Sequence, residues 1–410
     1  MISVHEAKTI VQRSSRPIGT GNEPLEKVSS RILAQDVRAT FPMPRFDNSA
    51  MDGFAVRAED TIGATQKMPK KLEIKGISSA GNPYKGFIQP GQCVQCMTGA
   101  VIPEGADAIV IVENTSGFKS NNNVDIYRQA SSGENIRFAG EEINRGKVLI
   151  VKGARIGPAE IGTLANFGYK EVLVAKRPRI ALFATGDELV APGESLEEGE
   201  IYNSNLPVIS DLVELAGAEV VMQHVVADDR SAILSFLVKA LERCDIVVST
   251  GGISMGRFDF MKDVLEEIGV IQHFWKVAQK PGKPLFFGTK GDKLVFGLPG
   301  NPVSAFIGFM EYVWLAIEQI MGTESELLKA KLATPFPRDP HKYRFLLGTV
   351  WVDNEALWCK PSPKTGSHML SSALEANCII GVEPGDGKLS VDSFVTFRLL
   401  PWLTIKGKSS

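Results

Sequence analysis

The chain has 410 residues, 44% hydrophobic and 22% charged, which is enough apolar material for several ordinary cores and excludes a disordered or fibrous protein. A formal charge of −2 provides no broad field for nucleic acid or an anionic membrane, so an anionic ligand needs a local basic site. No apolar run approaches the roughly 18–20 residues that cross a bilayer, and the start MISVHEAKTI lacks a basic segment followed by an apolar stretch; both predict a cytoplasmic protein.

Residues 1 to about 40 read as helical, with Val4, Ala7, Ile10 and Val11 on one face. From 41 to 137 the pattern changes to short β-like runs at 71–77, 92–97 and 108–112, separated by Gly, Pro and Asn, which predicts a small β domain. The second run contains a lone CxxC, Cys93 and Cys96, without a second pair or a nearby His. Five cysteines in a long chain do not form a secreted disulfide framework, so these two read as structural strand residues. Helical character returns at about 157–167, where Pro158 suits a first turn and Gly168 an end. Pairing of the opening and returning segments would make the β region an insertion in a discontinuous domain.

From Arg179 apolar strands alternate with helices: IALFAT at 180–185, a helix near 205–216, EVVMQHVVAD at 219–228, a helix near 230–243, and DIVVST at 245–250. This predicts a doubly wound, mostly parallel α/β domain. KLVFG at 293–297 adds a strand, and Pro302 begins a long apolar helix to about 320. TPFPRDP at 334–340 reads as a Pro-rich linker, and the later runs FLLGTVWV, CIIGVE and FVTFRLL predict a C-terminal β domain. The expected division is 1–40 with 138–175, 41–137, 176–328 and 329–410.

In an open parallel sheet, ligands bind outside the carboxyl ends of the strands. Three such ends carry glycine turns here: Gly186-Asp187-Glu188, Gly251-Gly252-Ile253-Ser254-Met255-Gly256, and Pro299-Gly300-Asn301-Pro302-Val303-Ser304. Tight turns alone explain any one of them, whereas three on neighbouring strands favour a phosphate or nucleotide-like ligand. Lys276, Lys280 and Lys283 flank a Pro-Gly turn and suit an oxyanion or phosphate. The acidic residues Asp187, Glu188, Asp228, Asp229 and Asp259 would repel such an anion unless a hard cation bridges them or ligand hydroxyls donate to them, which implies magnesium. Asp229 equally suits a helix cap. Around Asp52-Gly53-Phe54 and Thr98-Gly99 a ligand contact and a small-residue turn serve equally well.

The segments NSAMDGFAV, TGAVIPEGADAIVIVE, GENIRFAGEEI, TGDEL, STGGISMGRFDF, FWKVAQKPGKP, GLPGNPVS and GSHMLSS, in this order, resemble the molybdopterin molybdenumtransferase (MoeA) family, which includes the E domain of gephyrin. The match runs over nearly the whole chain. The resemblance implies four subdomains, including a MogA-like α/β domain and a C-terminal β-barrel-like domain. It also implies an elongated homodimer whose active cleft lies between the α/β subdomain of one chain and N-terminal segments of the other. The implied reaction is adenylyl-molybdopterin plus molybdate giving molybdenum cofactor and AMP, with magnesium, and with a molybdopterin adenylyltransferase as partner. By motif, Asp52, Thr98, Glu188, Asp228, Asp259, Lys276, Lys280, Pro299 and Pro302 fall at functional positions. Ser367 falls beside the implied molybdate site, and Glu188, Asp228 and Glu142 form the implied metal set.

Three positions depart from the family pattern. Glu142 stands where Asp is usual, Asn203 where Asp follows Ile-Tyr, and Leu347 at the second basic position of an Arg-x-x-Phe-x-Arg segment. These departures keep a second reading open, a degenerate relative that binds or scaffolds without turnover. A generic nucleotide-binding enzyme is a third.

Overall fold

The computed structural model describes residues 1–118, 122–252 and 260–407. Two compact units divide the chain, the larger holding Met1–Gln35, Gly153–Pro158 and Glu171–Ser410, the smaller Asp36–Lys152 and Ala159–Lys170.

The smaller unit is built on five strands, β1 Gly53–Val56, β2 Lys70–Ser78, β3 Gln92–Cys96, β4 Ala108–Ile111 and β5 Asn123–Ile126, in the order β4-β1-β3-β2-β5. Alternate residues feed two cores: Phe54, Val56, Cys93 and Val110 pack on one face, and Ala55, Val94, Cys96 and Ile109 on the other. Cys93 and Cys96, three residues apart on a strand, therefore point to opposite sides of the sheet and cannot share a metal or a disulfide. All five cysteines are free and buried. Burial pushes the Cys93 thiol up to about 12 and that of Cys96 up to about 11.

The first 40 residues are not helical throughout. Helix α1, Val4–Ser14, is capped by Ser3, whose Oγ accepts from the Glu6 amide, and it buries Val4, Ala7 and Val11. Pro17, Gly19 and Gly21 then break the helical pattern, and Thr20–Pro24 becomes a strand antiparallel to Glu171–Ala175. Helix α2, Pro158–Asn166, begins at the expected proline, and Gly168 beyond it has φ +74°.

The larger unit contains a six-stranded sheet of β6 Arg179–Thr185, β7 Glu219–Val226, β8 Ile246–Thr250, β9 Ile271–Lys276, β10 Pro284–Lys290 and β11 Lys293–Leu298, ordered β7-β6-β8-β11-β10-β9. The first four in this order run parallel; β10 opposes β11, and β9 opposes β10. Helices cover both faces. Ile180, Leu182 and Ala184 of β6 pack with α3, Asn205–Leu215, and with α6, the continuous helical run Pro302–Met321. Ala181 and Phe183 pack with α4, Arg230–Arg243, and α5, Met261–Glu267. Burial on both faces gives β6, β8 and β11 their apolar sequences, whereas the edge strands β7 and β9 are largely exposed. Asp229 caps α4, its Oδ1 accepting from the amides of Ser231 at 2.9 Å and Ala232 at 3.0 Å.

Helix α6 corrects the expectation that no apolar run reaches membrane-crossing length. Its 20 residues contain an 18-residue window long and apolar enough to cross a membrane, but 94% of that window is buried inside the protein, as a core helix requires. A π-helical turn, Phe309–Val313, interrupts it and places Glu311 and Tyr312.

Beyond the sheet, β12 Leu328–Leu332, β13 Tyr343–Asp353, β14 Ala356–Pro361, β15 Cys378–Val382 and β16 Phe394–Leu399 close into a five-stranded barrel, β13-β14-β12-β16-β15 and back to β13. TPFPRDP is not a linker ahead of this domain. It lies between β12 and β13, where Phe336–Pro337 pairs with Lys388–Leu389.

Candidate functional site

The strand order places β6 and β8 side by side while their outgoing connections depart in opposite directions, from β6 through α3 to β7 at one edge and from β8 through α5 to β9 at the other. This is a topological switch point, which leaves a crevice outside the carboxyl ends of both strands. The strands end at Thr185 and Thr250, both buried, and the chain after β8 crosses the end of β6 at close range. A Cβ on Gly251 (φ +84°) would lie 2.7 Å from the Thr185 carbonyl oxygen, and one on Gly252 (φ +63°) 2.6 Å from Thr185 Oγ1. Both the dihedral and the space demand glycine there.

The third turn, after β11, is fastened to two other elements. Asn205 Nδ2 donates to the Gly300 carbonyl at 2.8 Å, and Asn301 Nδ2 donates to Ser367 Oγ at 3.2 Å. The Val303 amide, in the first turn of α6, donates to the Ser367 carbonyl at 3.0 Å. Ser367 thus reaches the sheet from a loop of the barrel.

These turns open into a cleft of about 1140 Å³. Gly186, Glu188, Asp228, Gly251, Gly252, Lys280, Lys283, Pro299, Gly300, Asn301, Pro302, Ser304 and Ser367 all line it. Asp187 is not on the lining but accepts from the Asp228 amide at 3.3 Å, and Lys276 ends β9 without lining the cleft. Ser254 and Asp259 lie outside the described residues. Asp52, Thr98 and Glu142 belong to the smaller unit. There, Asp52 Oδ1 accepts from the Thr98 amide at 2.7 Å and from Thr98 Oγ1 at 2.9 Å, and these bonds hold its carboxyl below the usual carboxylate range. Glu142 is exposed, and its amide donates to the Met43 carbonyl at 3.1 Å.

Charge is sorted along the sheet. Glu188 and Asp228 follow β6 and β7, whereas Lys280 and Lys283 occupy the turn between β9 and β10 at the other edge. Because β9 runs in the same direction as β11, that turn lies at the same carboxyl edge. From β6 to β10 is three strand spacings, about 14 Å. Burial, followed by the charges of Asp187 and Glu188, raises the Asp228 carboxyl above its ordinary value, as expected where like charges lack a counter-ion. Among the described residues no three His, Cys, Asp or Glu side chains converge to hold a metal.

The sequence departures have local explanations. Asn203 lines the cleft, and its Oδ1 accepts from the Leu206 amide at 3.2 Å in the first turn of α3. Leu347 is buried in the main core, where a basic side chain would be unpaired, and the cation that its segment sends into the cleft is Lys342, beside Ser367 and His368. Sequence reasoning missed Thr185, Thr250, Asn205, Gln279 and His368 on the lining. Thr185 and Thr250 end the strands that run into the glycine turns, which was an available signal; Asn205, Gln279 and His368 carried none.

Residues 2–168 match the MoeA N-terminal region (domain I and II), 181–319 a probable molybdopterin binding domain, and 329–400 the MoeA C-terminal region (domain IV). The chain is 35% identical over 387 residues to a molybdopterin molybdenumtransferase of Staphylococcus epidermidis, covering 94% of this chain and 92% of that one. A Staphylococcus aureus protein of the same name is 36% identical over 391 residues, with coverage of 94% and 92%. The crystal structure of a molybdopterin biosynthesis MoeA protein from Pyrococcus horikosii superposes with a TM-score of 0.83 at 30% identity, covering 97% of this chain and 99% of that one.

Proposed function

Because the chain belongs to the MoeA family, we propose that it inserts molybdate into adenylyl-molybdopterin and releases AMP, completing the molybdenum cofactor. The observation that carries this reading is the polarised cleft, with carboxylates after β6 and β7 and lysines on the turn between β9 and β10. Such a groove suits an elongated ligand with hydroxyls or a bound cation at one end and an oxyanion at the other. In this reading Lys280 and Lys283 attract molybdate and phosphate, with Ser367 and Lys342 beside them. The turns at Gly186, Gly251 and Gly300 allow phosphate oxygens to approach backbone.

Magnesium fits the acidic end. The raised Asp228 carboxyl marks uncompensated negative charge, and a hard cation that keeps most of its waters needs one or two protein carboxylates. Glu188 and Asp228 would hold it, and when bound it would neutralise charge as adenylate leaves. Asp52, Thr98 and Glu142 are assigned to the cleft of a second copy in a homodimer. Lys276, Ser254 and Asp259 are assigned to the site on the family pattern. The proposed organisation has four subdomains, 1–40 with 138–175, 41–137, 176–328 and 329–410. The reaction is placed in the cytoplasm, where a molybdopterin adenylyltransferase delivers the substrate.

Purified protein with magnesium should release AMP from adenylyl-molybdopterin only when molybdate is added. Release that is indifferent to molybdate, or none, rejects the proposal, and a parallel run with tungstate reads oxyanion preference. The scaffold alternative is disfavoured because both charged ends of the cleft are retained.

A further inference from the structure

Gln279 lies between Lys276, which ends β9, and Lys280 of the β9–β10 turn, and is 1% exposed. Its side chain folds back across the turn: Nε2 donates to the Gly282 carbonyl at 3.0 Å, and Oε1 accepts from the Tyr312 hydroxyl. Tyr312 is fully buried on the π-helical turn of α6. Burial, and then the charge of Glu311, raises its phenol well above the usual value, which keeps it a neutral donor. Both ends of the Gln279 amide are therefore engaged, one by the core helix and the other by the turn.

Backbone bonds secure the rest of the segment. The Val277 amide donates to the Lys283 carbonyl at 3.0 Å, the Ala278 amide to the Ile2 carbonyl at 2.8 Å, and the Tyr343 amide to the Ala278 carbonyl at 2.9 Å. Within the turn itself, a Cβ on Gly282 would approach Gln279 Nε2 to 3.0 Å. Lys280 and Lys283 are exposed at the mouth of this tied segment.

We infer that Gln279 and Tyr312 are positioning residues for the oxyanion, fixing the 280–283 turn so that two lysines converge on the anion instead of sampling solvent independently. The π-helical turn brings Tyr312 to the amide it anchors. This inference rests on the reading that the basic end of the cleft takes molybdate.

The test is calorimetric binding of molybdate alone and tungstate alone to the full chain, with sulfate as competing oxyanion, for the parent and for Tyr312→Phe, Gln279→Met and Lys280→Met. Tyr312→Phe and Gln279→Met should each weaken oxyanion binding about tenfold or more, since small misplacements of a binding group are costly. In AMP-release assays the KM for molybdate should rise while kcat stays within about twofold. Combined with Lys280→Met, Tyr312→Phe should cost much less than it does alone, because both act through the same turn. Unchanged affinity in Tyr312→Phe, full additivity with Lys280→Met, or parent binding that ignores Lys280→Met would each overturn the inference. If Tyr312→Phe does not fold, Gln279→Met decides by the same criteria. Lysine-dependent oxyanion binding without molybdate-dependent AMP release would reject the proposed reaction and leave the positioning role standing.

Discussion

Asp52 receives both of its short hydrogen bonds on one oxygen, from the amide and hydroxyl of a single residue, Thr98. These bonds favour the ionised form, so the carboxyl titrates below an ordinary carboxylate. Because this pKa is depressed, its contribution to stability is present above the ordinary carboxylate value and is lost as pH falls through the depressed one. Thr98→Val removes the hydroxyl and keeps the amide. It should therefore move the Asp52 titration partway back up, as followed by carboxyl carbon NMR; no movement would mean that the hydroxyl bond is unimportant in solution. Asp228 lies at the opposite extreme. Its raised value means that ligand-free protein becomes more stable as pH falls through that range. Asp228→Asn should accordingly raise the thermal midpoint of the free protein by about 1–2 °C while weakening ligand binding.

At the scale of elements, Glu311 ties three of them together. Its carboxylate pairs with Lys8 of α1 and lies 3.5 Å from Arg398 of β16, and α6 carries it. Burial alone would raise this carboxyl, but the two cations beside it hold it low. Glu311→Gln strands buried Arg398 and half-buried Lys8 and should cost roughly 3–5 kcal/mol at neutral pH. The gap from the parent should close as pH falls through the depressed carboxyl pKa, and thermal unfolding across pH would show it. A constant gap would point to packing instead of charge. Legibility varied at this scale for physical reasons. The apolar strands and Pro302 were visible because burial on both sides writes long apolar runs. β1 and β5 were not, since four residues such as GFAV carry too little periodicity. The three glycine turns were visible at strand ends, but the separation of carboxylates from lysines depends on strand order, which a linear chain does not display. Gln279 was invisible for a related reason: a polar residue between two lysines reads as surface until the Tyr312 hydroxyl arrives from 33 positions away.

For the whole molecule, the proposed dimer makes a prediction that no single chain can satisfy. Asp52→Asn and Lys280→Met homodimers should both be inactive. Mixed dimers of the two should recover activity, because one of their two clefts would then be assembled from unmodified halves. Co-expressed, differently tagged chains purified through both tags would measure this, and failure to recover would place Asp52 and Lys280 in the same chain's site. Recovery is an all-or-none property of assembly, so small losses of stability in either variant do not mimic it.

The distance of about 14 Å between the ends of the cleft also bears on turnover. A ligand that spans both ends is bound twice, and its second contact forms at the high effective concentration set by the first. AMP alone or an oxyanion alone engages one end and gains nothing from the other. Under the proposed reaction, breaking the bond between pterin and adenylate converts one bivalent ligand into two monovalent ones. Each fragment then departs at the rate of its own weak contact, so the same spacing that retains the substrate ejects AMP.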